Sequence, residues 1–422
     1  MINILTASLY SQTDYWQLVT EIEGIYPTTM MATPSGEIFV ATESGLFCST
    51  DDGETWQNIS EGLPKFNLAE VSNVKSLAYM GSQYIFAGTF HNGLYRSEDM
   101  GETWSNIGFN DISIGALASS QNGYLFVSTT WPDEFIRSED YGDNWSKLVN
   151  YHDYPPVNIF IGPHNYIYAE FGLMMGDGEG YFNRSSNNGD SWEPIQWPRQ
   201  FANCMAFKSD GTVYVGTTQP AIPPGPDYSG IYQSTDFGVS WIRLNPVIAD
   251  NQTNATSGIA LDSREHLYCG MEYHGVFYTV DEGNTWKEIN SGLSDLHILS
   301  LAISKNDYVF AGTNGSGLFR SVKKTTHITV QLKSNAVYHL ESPFPNPVNN
   351  QATIVFTILK PEYVKLNIFN LSGQEVMTIT ESYYPKGKHQ IKFRTNQLST
   401  GIYFIQLFTN DFISNQIFSI LK

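Results

Sequence analysis

The sequence predicts an all-β protein: a seven-bladed β-propeller followed by a small antiparallel β-sandwich. Three observations carry this expectation. A turn motif ending in tryptophan recurs at nearly constant spacing. Composition is poor in charge (15%) and rich in aromatic residues (14%) and glycine (35 of 422 residues), as short strands joined by tight turns require. The last 80 or so residues drop the repeat and alternate apolar and polar positions between Gly- and Pro-containing turns.

The repeat comes first in the chain. It reads Ser49-Thr-Asp51-Asp-Gly53-Glu-Thr55-Trp56, then Ser97-Glu-Asp99-Met-Gly101-Glu-Thr103-Trp104, then Ser138-Glu-Asp140-Tyr-Gly142-Asp-Asn144-Trp145. A fourth copy keeps Ser185, Asn187, Gly189, Ser191 and Trp192. The fifth has Ser234, Asp236, Gly238, Ser240 and Trp241, and the sixth Thr279, Asp281, Gly283, Thr285 and Trp286. Successive tryptophans are 48, 41, 47, 49 and 45 residues apart, the length of one four-stranded blade. The hydroxyl and the carboxylate are placed to cap backbone N–H groups of a tight turn. The glycine accepts the positive φ such a turn needs, and the tryptophan packs between neighbouring sheets.

The strands around each turn fit the same unit. Gly36-Glu-Ile-Phe-Val-Ala-Thr and Gly45-Leu-Phe-Cys-Ser precede the first turn, and Tyr84-Ile-Phe-Ala-Gly-Thr and Gly93-Leu-Tyr-Arg-Ser the second. Inner strands such as Val74-Lys-Ser-Leu-Ala-Tyr-Met and Ile298-Leu-Ser-Leu-Ala-Ile carry the small residues that crowding around an axis demands. A seventh unit runs from His297 to Ser321 and then lacks its turn and its tryptophan. Trp16-Gln-Leu-Val matches the missing strand, 40 residues before Trp56, so the N-terminal strand is expected to complete the last blade and remove two open sheet edges.

The turn resembles the Asp-box (BNR) repeat of sialidases, sortilin-type receptors, xyloglucan-active endoglucanases and a photosystem assembly factor. That resemblance implies the propeller fold and leaves activity open, because members of the family do different things.

After a linker at residues 323–340 the tail begins. Ser342-Pro-Phe-Pro345-Asn346-Pro347, the strand ending in Leu371-Ser-Gly373-Gln-Glu-Val376, and Leu398-Ser-Thr-Gly401-Ile-Tyr resemble the C-terminal sorting domain of type IX secretion substrates. The resemblance implies export through a Gram-negative outer membrane, a partnership with the secretion machinery, and a secreted or surface location. Residues 341–422 are expected to form this domain and residues 12–322 the propeller. Residues 1–11 look like the end of a signal peptide, with a break near Ser11-Gln12.

Charge and motifs exclude several functions. The chain carries −19. Its tail has seven Lys or Arg against five Asp or Glu, so −21 resides in the remainder. Such a surface does not hold a phosphate backbone, which excludes nucleic acid as the main partner. No apolar run approaches a transmembrane helix. Cys48, Cys204 and Cys269 sit in apolar strands and read as core. His91, His152, His164 and His274 show no metal spacing, and no motif calls for a cofactor. A sialidase needs an arginine triad to grip a carboxylate. Of the propeller arginines, Arg96, Arg137, Arg184 and Arg320 directly precede a turn serine or its equivalent and belong to the repeat, which leaves only Arg199, Arg243 and Arg264.

The candidate site follows from variation within the chain. Loops between the second and third strands share one propeller face, opposite the Asp-containing turns. Three of them are distinctive: Trp131-Pro-Asp133-Glu134, the stretch from Glu170 through Asp177 and Glu179, and the Pro-rich stretch ending at Asp227-Tyr228. With Glu272 and His274 of the sixth unit they offer stacking surfaces and hydrogen-bond acceptors. The expectation is an extracellular glycan or protein ligand on this face. A glycoside hydrolase is the alternative: that chemistry needs two carboxylates flanking a sugar bond, and carboxylates are plentiful here.

Overall fold

A computed structural model describes residues 14–22, 26–66, 71–72, 74–130, 132–148, 154–172, 180–195, 201–218, 229–244, 255–325, 339–358, 361–370, 374–409 and 413–422. The chain divides into two compact units, Met1–Ile328 and Thr329–Lys422.

Among the described residues the first unit holds seven four-stranded antiparallel sheets. Their inner strands are Thr29–Ala32, Val74–Met80, Ser113–Ser119, Pro156–Ile161, Phe201–Phe207, Thr256–Leu261 and Ile298–Ile303. Each packs on the next, and the last packs on the first, so the ring closes as a propeller. The second strands, such as Ile38–Thr42, Leu267–Met271 and Val309–Thr313, are buried throughout. They therefore read as continuous apolar runs, each sandwiched between neighbouring blades.

The seventh sheet takes its outer strand from the other end of the chain. Trp16–Leu18 pairs antiparallel with Gly317–Ser321, matching Trp16 to Ser321 and Leu18 to Phe319. Trp16 occupies the position of a turn tryptophan. Its indole N–H donates to Ile289 O of blade 6, as Trp104 donates to Ile59 O of blade 1. Each acceptor lies three residues past the preceding blade's turn tryptophan.

The turns are built by side-chain capping. Asp51 Oδ1 accepts from Ser49 Oγ (2.8 Å) and Thr55 N (2.9 Å), and Oδ2 from Thr55 Oγ1 (2.6 Å). Ser49 Oγ in turn accepts from Gly53 N at 2.8 Å. Gly53 sits at φ +81°, and a Cβ there would meet the Phe310 ring of blade 7 at 2.5 Å. The same network recurs at Asp99, Asp140, Asp236 and Asp281.

The arginines before the turn serines have a definite part in this architecture: each clamps the next blade. Arg96 reaches Asp143 (2.6 Å), Arg137 reaches Asp190 (2.8 Å), Arg184 reaches Phe237 O (2.7 Å), and Arg320 reaches Glu54 (2.7 Å) across the closure.

The second unit is a β-sandwich. Phe344–Asn349 joins its two sheets, pairing antiparallel with Gln351–Ile358 and parallel with Ile413–Ile420 through Val348 and Ile420. This parallel contact departs from the purely antiparallel arrangement expected. Alternate residues of four strands, among them Ile354, Phe356, Leu366, Ile368, Ile405 and Leu407, form the core. No helix among the described residues is long and apolar enough to cross a membrane.

Candidate functional site

The geometry of the site begins with a backbone irregularity repeated around the ring. In blades 2 to 7 the inner strand slips register against its neighbour at one place, skipping Lys75, Gly115, Val157, Asn203, Ser257 and Leu299 in turn. In blade 1 Thr28 N donates to Ala41 O, the residue that Thr29 already faces. The six slips are β-bulges, which bend the strand and re-aim side chains, and Thr28 marks the same place in blade 1. All seven lie where the inner strands begin, the end that carries the loops between second and third strands.

Hydrogen bonds from residues at these bulges stitch blade to blade. Thr29 Oγ1 donates to Lys75 O (3.0 Å), Asn158 Nδ2 to Ala202 O (2.9 Å), and Asn203 Nδ2 to Thr256 O (3.3 Å). Ser257 Oγ donates to Ile298 O, and Ser300 Oγ to Pro27 O across the closure.

The residue opposite each bulge faces the following blade. Around the ring it is Ala41, Gly88, Ser128, Glu170, Gly216, Gly270 and Gly312. Small residues are demanded there. A Cβ on Gly88 would approach Ile114 Cγ2 to 2.7 Å, and one on Gly270 would approach Ile298 Cγ2 to 2.5 Å. Blade 4 alone places a long side chain at this seam. Room comes from blade 5, which has Ala202 where the others have Pro27, Val74, Ile114, Pro156, Thr256 or Ile298.

Glu170 therefore lies in the strand Ile167–Gly172 and not in the loop where the sequence reading put it. It is 0% exposed. Its Oε2 accepts from Asn158 Nδ2 (2.9 Å) and its Oε1 from Ala202 N (3.1 Å). Burial pushes its carboxyl up to about 7, against the downward pull of those two hydrogen bonds. Desolvation of the charged form outweighs them because no cation among the described residues stands opposite.

A pocket of about 320 Å³ opens at the mouth of the central channel. Five blades line it, through Thr28, Asn158, Asn203, Ser257, Glu272 and His297, with Ile298 and Leu299 as its apolar part. His297 Nδ1 is 3.0 Å from Asn314 Nδ2. An amide nitrogen only donates, which leaves the imidazole hydrogen on Nε2. The ring of Tyr273, 51% exposed, lies 4.8 Å from that of His297. Exposed aromatics concentrate on this face. Tyr26, Phe90, Tyr154, Tyr181 and Tyr273 all sit in or beside its loops, whereas Tyr141 belongs to a turn on the other side.

Of the residues singled out from sequence, Glu272 lines the pocket and Glu170 lies behind it, bonded to the lining Asn158. Asp133 is exposed in blade 3. Glu134 is tied to Lys147 across the edge of its own sheet. Neither lines the pocket. His274 is half-buried and its carbonyl accepts from Asn290 Nδ2. Trp131, Asp177, Glu179, Asp227 and Tyr228 lie outside the described residues, as does Arg199. Sequence reasoning missed Thr28, Asn158, Asn203, Ser257 and His297. Their shared signal is position: they stand at or beside a bulge, at the start of an inner strand. Among the described residues no group of His, Cys, Asp or Glu is arranged to hold a metal ion, and the three cysteines are unpaired thiols.

Residues 342–418 match the family described as the secretion system C-terminal sorting domain. The chain is thus a β-propeller with a type IX sorting tail, and so a secreted or cell-surface protein of a Bacteroidetes-type Gram-negative bacterium. A comparison with curated proteins finds no significant match. Among solved structures the chain is similar to PorZ, a surface component of the type IX secretion system of Porphyromonas gingivalis, at 15% identity and a TM-score of 0.55 over 94% of this chain and 60% of that one. It is similar to a GH74 xyloglucanase from Xanthomonas campestris at 16% identity and a TM-score of 0.57, over 82% of this chain and 59% of that one. YCF48 bound to a D1 peptide matches at 16% identity and a TM-score of 0.54, over 75% of this chain and 99% of that one. The chain thus spans about three fifths of the first and second of these proteins, and the likeness establishes the fold alone.

Proposed function

We propose that this protein is an extracellular binding protein that takes a glycan or protein ligand on the loop-rich face of its propeller. The carrying observation is the crowding of exposed aromatic rings on that face, next to a polar pocket at the channel mouth. Exposed rings beside convergent polar groups are the usual make-up of a recognition surface. On this reading Trp131, Asp133, Glu134, Asp177, Glu179, Asp227 and Tyr228 extend the surface around Glu272 and His274. The six capped turns are Asp-box repeats of the opposite rim, with residues 12–322 as the propeller and 341–422 as the export domain.

A glycoside hydrolase is the second reading. Glu170 favours it, because a carboxyl held near 7 is the property of a general acid. Its complete burial and its two engaged oxygens weigh against it. The test is a glycan array and a polysaccharide-hydrolysis screen on the full chain, repeated with Trp131→Ala/Tyr228→Ala. Binding lost in that variant without change in melting temperature supports the reading. Hydrolysis abolished by Glu170→Gln would replace it with the second.

A further inference from the structure

Resting on the reading of this face as the ligand face, we propose that the channel-mouth pocket receives a primary ammonium or guanidinium group at the end of a flexible arm, the chemistry of a lysine or arginine side chain. Counting hydrogens leads to this. Asn158 commits its Nδ2 to Glu170 Oε2 and Ala202 O, both of them acceptors, so its amide cannot be turned round. Asn203 commits one of its two Nδ2 hydrogens to Thr256 O. Ser257 gives its hydroxyl hydrogen to Ile298 O. What these three side chains have left to offer a ligand is acceptor oxygen, apart from one N–H of Asn203. Glu272 adds a carboxylate, and no lysine or arginine is among the described lining residues. On the donor side stand the Thr28 hydroxyl, the second Nδ2 hydrogen of Asn203 and one imidazole N–H of His297.

An acceptor-rich pocket discriminates between ligand classes. A sugar hydroxyl both donates and accepts, so a neutral ring would bring acceptors that few groups here could satisfy. An alkylammonium has three donors and no acceptor, and a guanidinium five donors and no acceptor. Acceptors that a ligand covers and leaves without donors are costly, so the donor-only group is preferred. The field points the same way, since −21 resides outside the tail and draws cations to a concave site. Tyr273 offers an aromatic face at the rim, which a cation also favours. At about 320 Å³ the pocket fits a side-chain-sized group, near the lower end of the roughly 300–1,000 Å³ of ligand pockets.

The experiment is saturation-transfer NMR and titration calorimetry on the full chain. The probes are n-butylammonium and N-butylguanidinium, with n-butanol as the neutral isostere. The cations are expected to bind and butanol not to. Glu272→Gln should weaken cation binding about tenfold, the worth of one charge-assisted hydrogen bond. Ser257→Ala, a smaller change, should weaken it by a lesser factor. Glu102→Gln removes the same charge from a turn on the opposite rim and should leave binding intact. Two further probes distinguish the source of the cation. Tighter binding of a single-lysine peptide than of butylammonium identifies a protein partner, and tighter binding of spermidine identifies a free polyamine. Equal binding of butanol and butylammonium overturns the proposal, as does equal weakening by Glu102→Gln and Glu272→Gln. A glycan that binds this face and is not displaced by butylammonium also overturns it, while leaving the loop-rich face as the ligand face.

Discussion

Glu170 makes the stability of the propeller fall with rising pH, and Glu170→Gln should abolish that dependence. In the unfolded chain this carboxyl releases its proton near 4.5, and in the fold near 7. Between those values the folded state holds a proton that the unfolded state has lost. Stability therefore declines as pH rises through the window, and the penalty is complete above the folded value. About 2.5 pK units at 1.36 kcal/mol each gives a penalty on the order of 3 kcal/mol. For a unit of roughly 300 residues this corresponds to about 5 °C in melting temperature. The assay is differential scanning calorimetry of both proteins from pH 5 to pH 8.5, at moderate salt to screen surface charge. The packing of glutamine sets an offset that does not vary with pH, so only the slope is read. The variant should gain on the wild type by about 5 °C across the window. The turn aspartates do not disturb the comparison. Slight burial would raise the Asp51 carboxyl, but hydrogen bonds from Thr55 and Ser49 hold it below its ordinary range. Its contribution is lost only as pH falls below the unfolded value. Parallel curves for the two proteins would refute the account of Glu170.

Three further outcomes are expected. Trp16→Ala should lower the melting temperature of the propeller, at a cost of about 3–5 kcal/mol for a fully buried tryptophan; an unchanged thermal scan would mean that the N-terminal strand does not hold the ring closed. Asp51→Ala removes a carboxylate that accepts three hydrogen bonds in its turn and should cost on the order of 1 kcal/mol, with ligand affinity unchanged by calorimetry. A chain lacking residues 341–422 should accumulate in the periplasm of a host with type IX secretion, and immunoblotting of cell fractions checks this, normal export being the contrary result.

Much of the fold was legible because each capped turn needs particular residue types. A hydroxyl, a carboxylate or amide, a glycine and a tryptophan at fixed offsets leave a mark that erosion at Asn187 does not erase. Trp16 was legible for the same reason, since its spacing to Trp56 fits one blade. The site was less legible. A β-bulge is a property of backbone register, and any residue type can occupy it, so Asn203 and Ser257 carry no signal of their own. Glu170 was assigned to a loop because Gly172 and the glycines beyond it mark the strand end only to within two residues. Its burial depends on Ala202, 32 residues away, and that exchange of volume is visible only once the register of two blades is known. The arginines before the turns were recognised as part of the repeat. Their partners, such as Asp143 for Arg96, lie in the following blade and follow from the ring.

The same comparison indicates where function can reside in a molecule of seven similar blades. At the rim of capped turns the blades agree: Ser or Thr opens each turn and glycine recurs at its fifth position, because the backbone geometry there admits little else. At the bulge the backbone is again repeated, yet the seven residues are Thr28, Lys75, Gly115, Val157, Asn203, Ser257 and Leu299, seven different amino acids at one structural position. A shared backbone with unshared side chains is what an asymmetric binding site on a symmetric scaffold requires. The uncharged polar members Asn203, Ser257 and Thr28 lie within one pocket, joined by Asn158 from blade 4, while Lys75 of blade 2 is not in its lining. The one seam that tolerates a buried carboxylate, at Glu170, borders that same pocket through Asn158. Departure from sevenfold repetition in side-chain size, charge and hydrogen-bonding sense thus falls on one sector of the channel mouth, which makes that sector the place to look for a ligand.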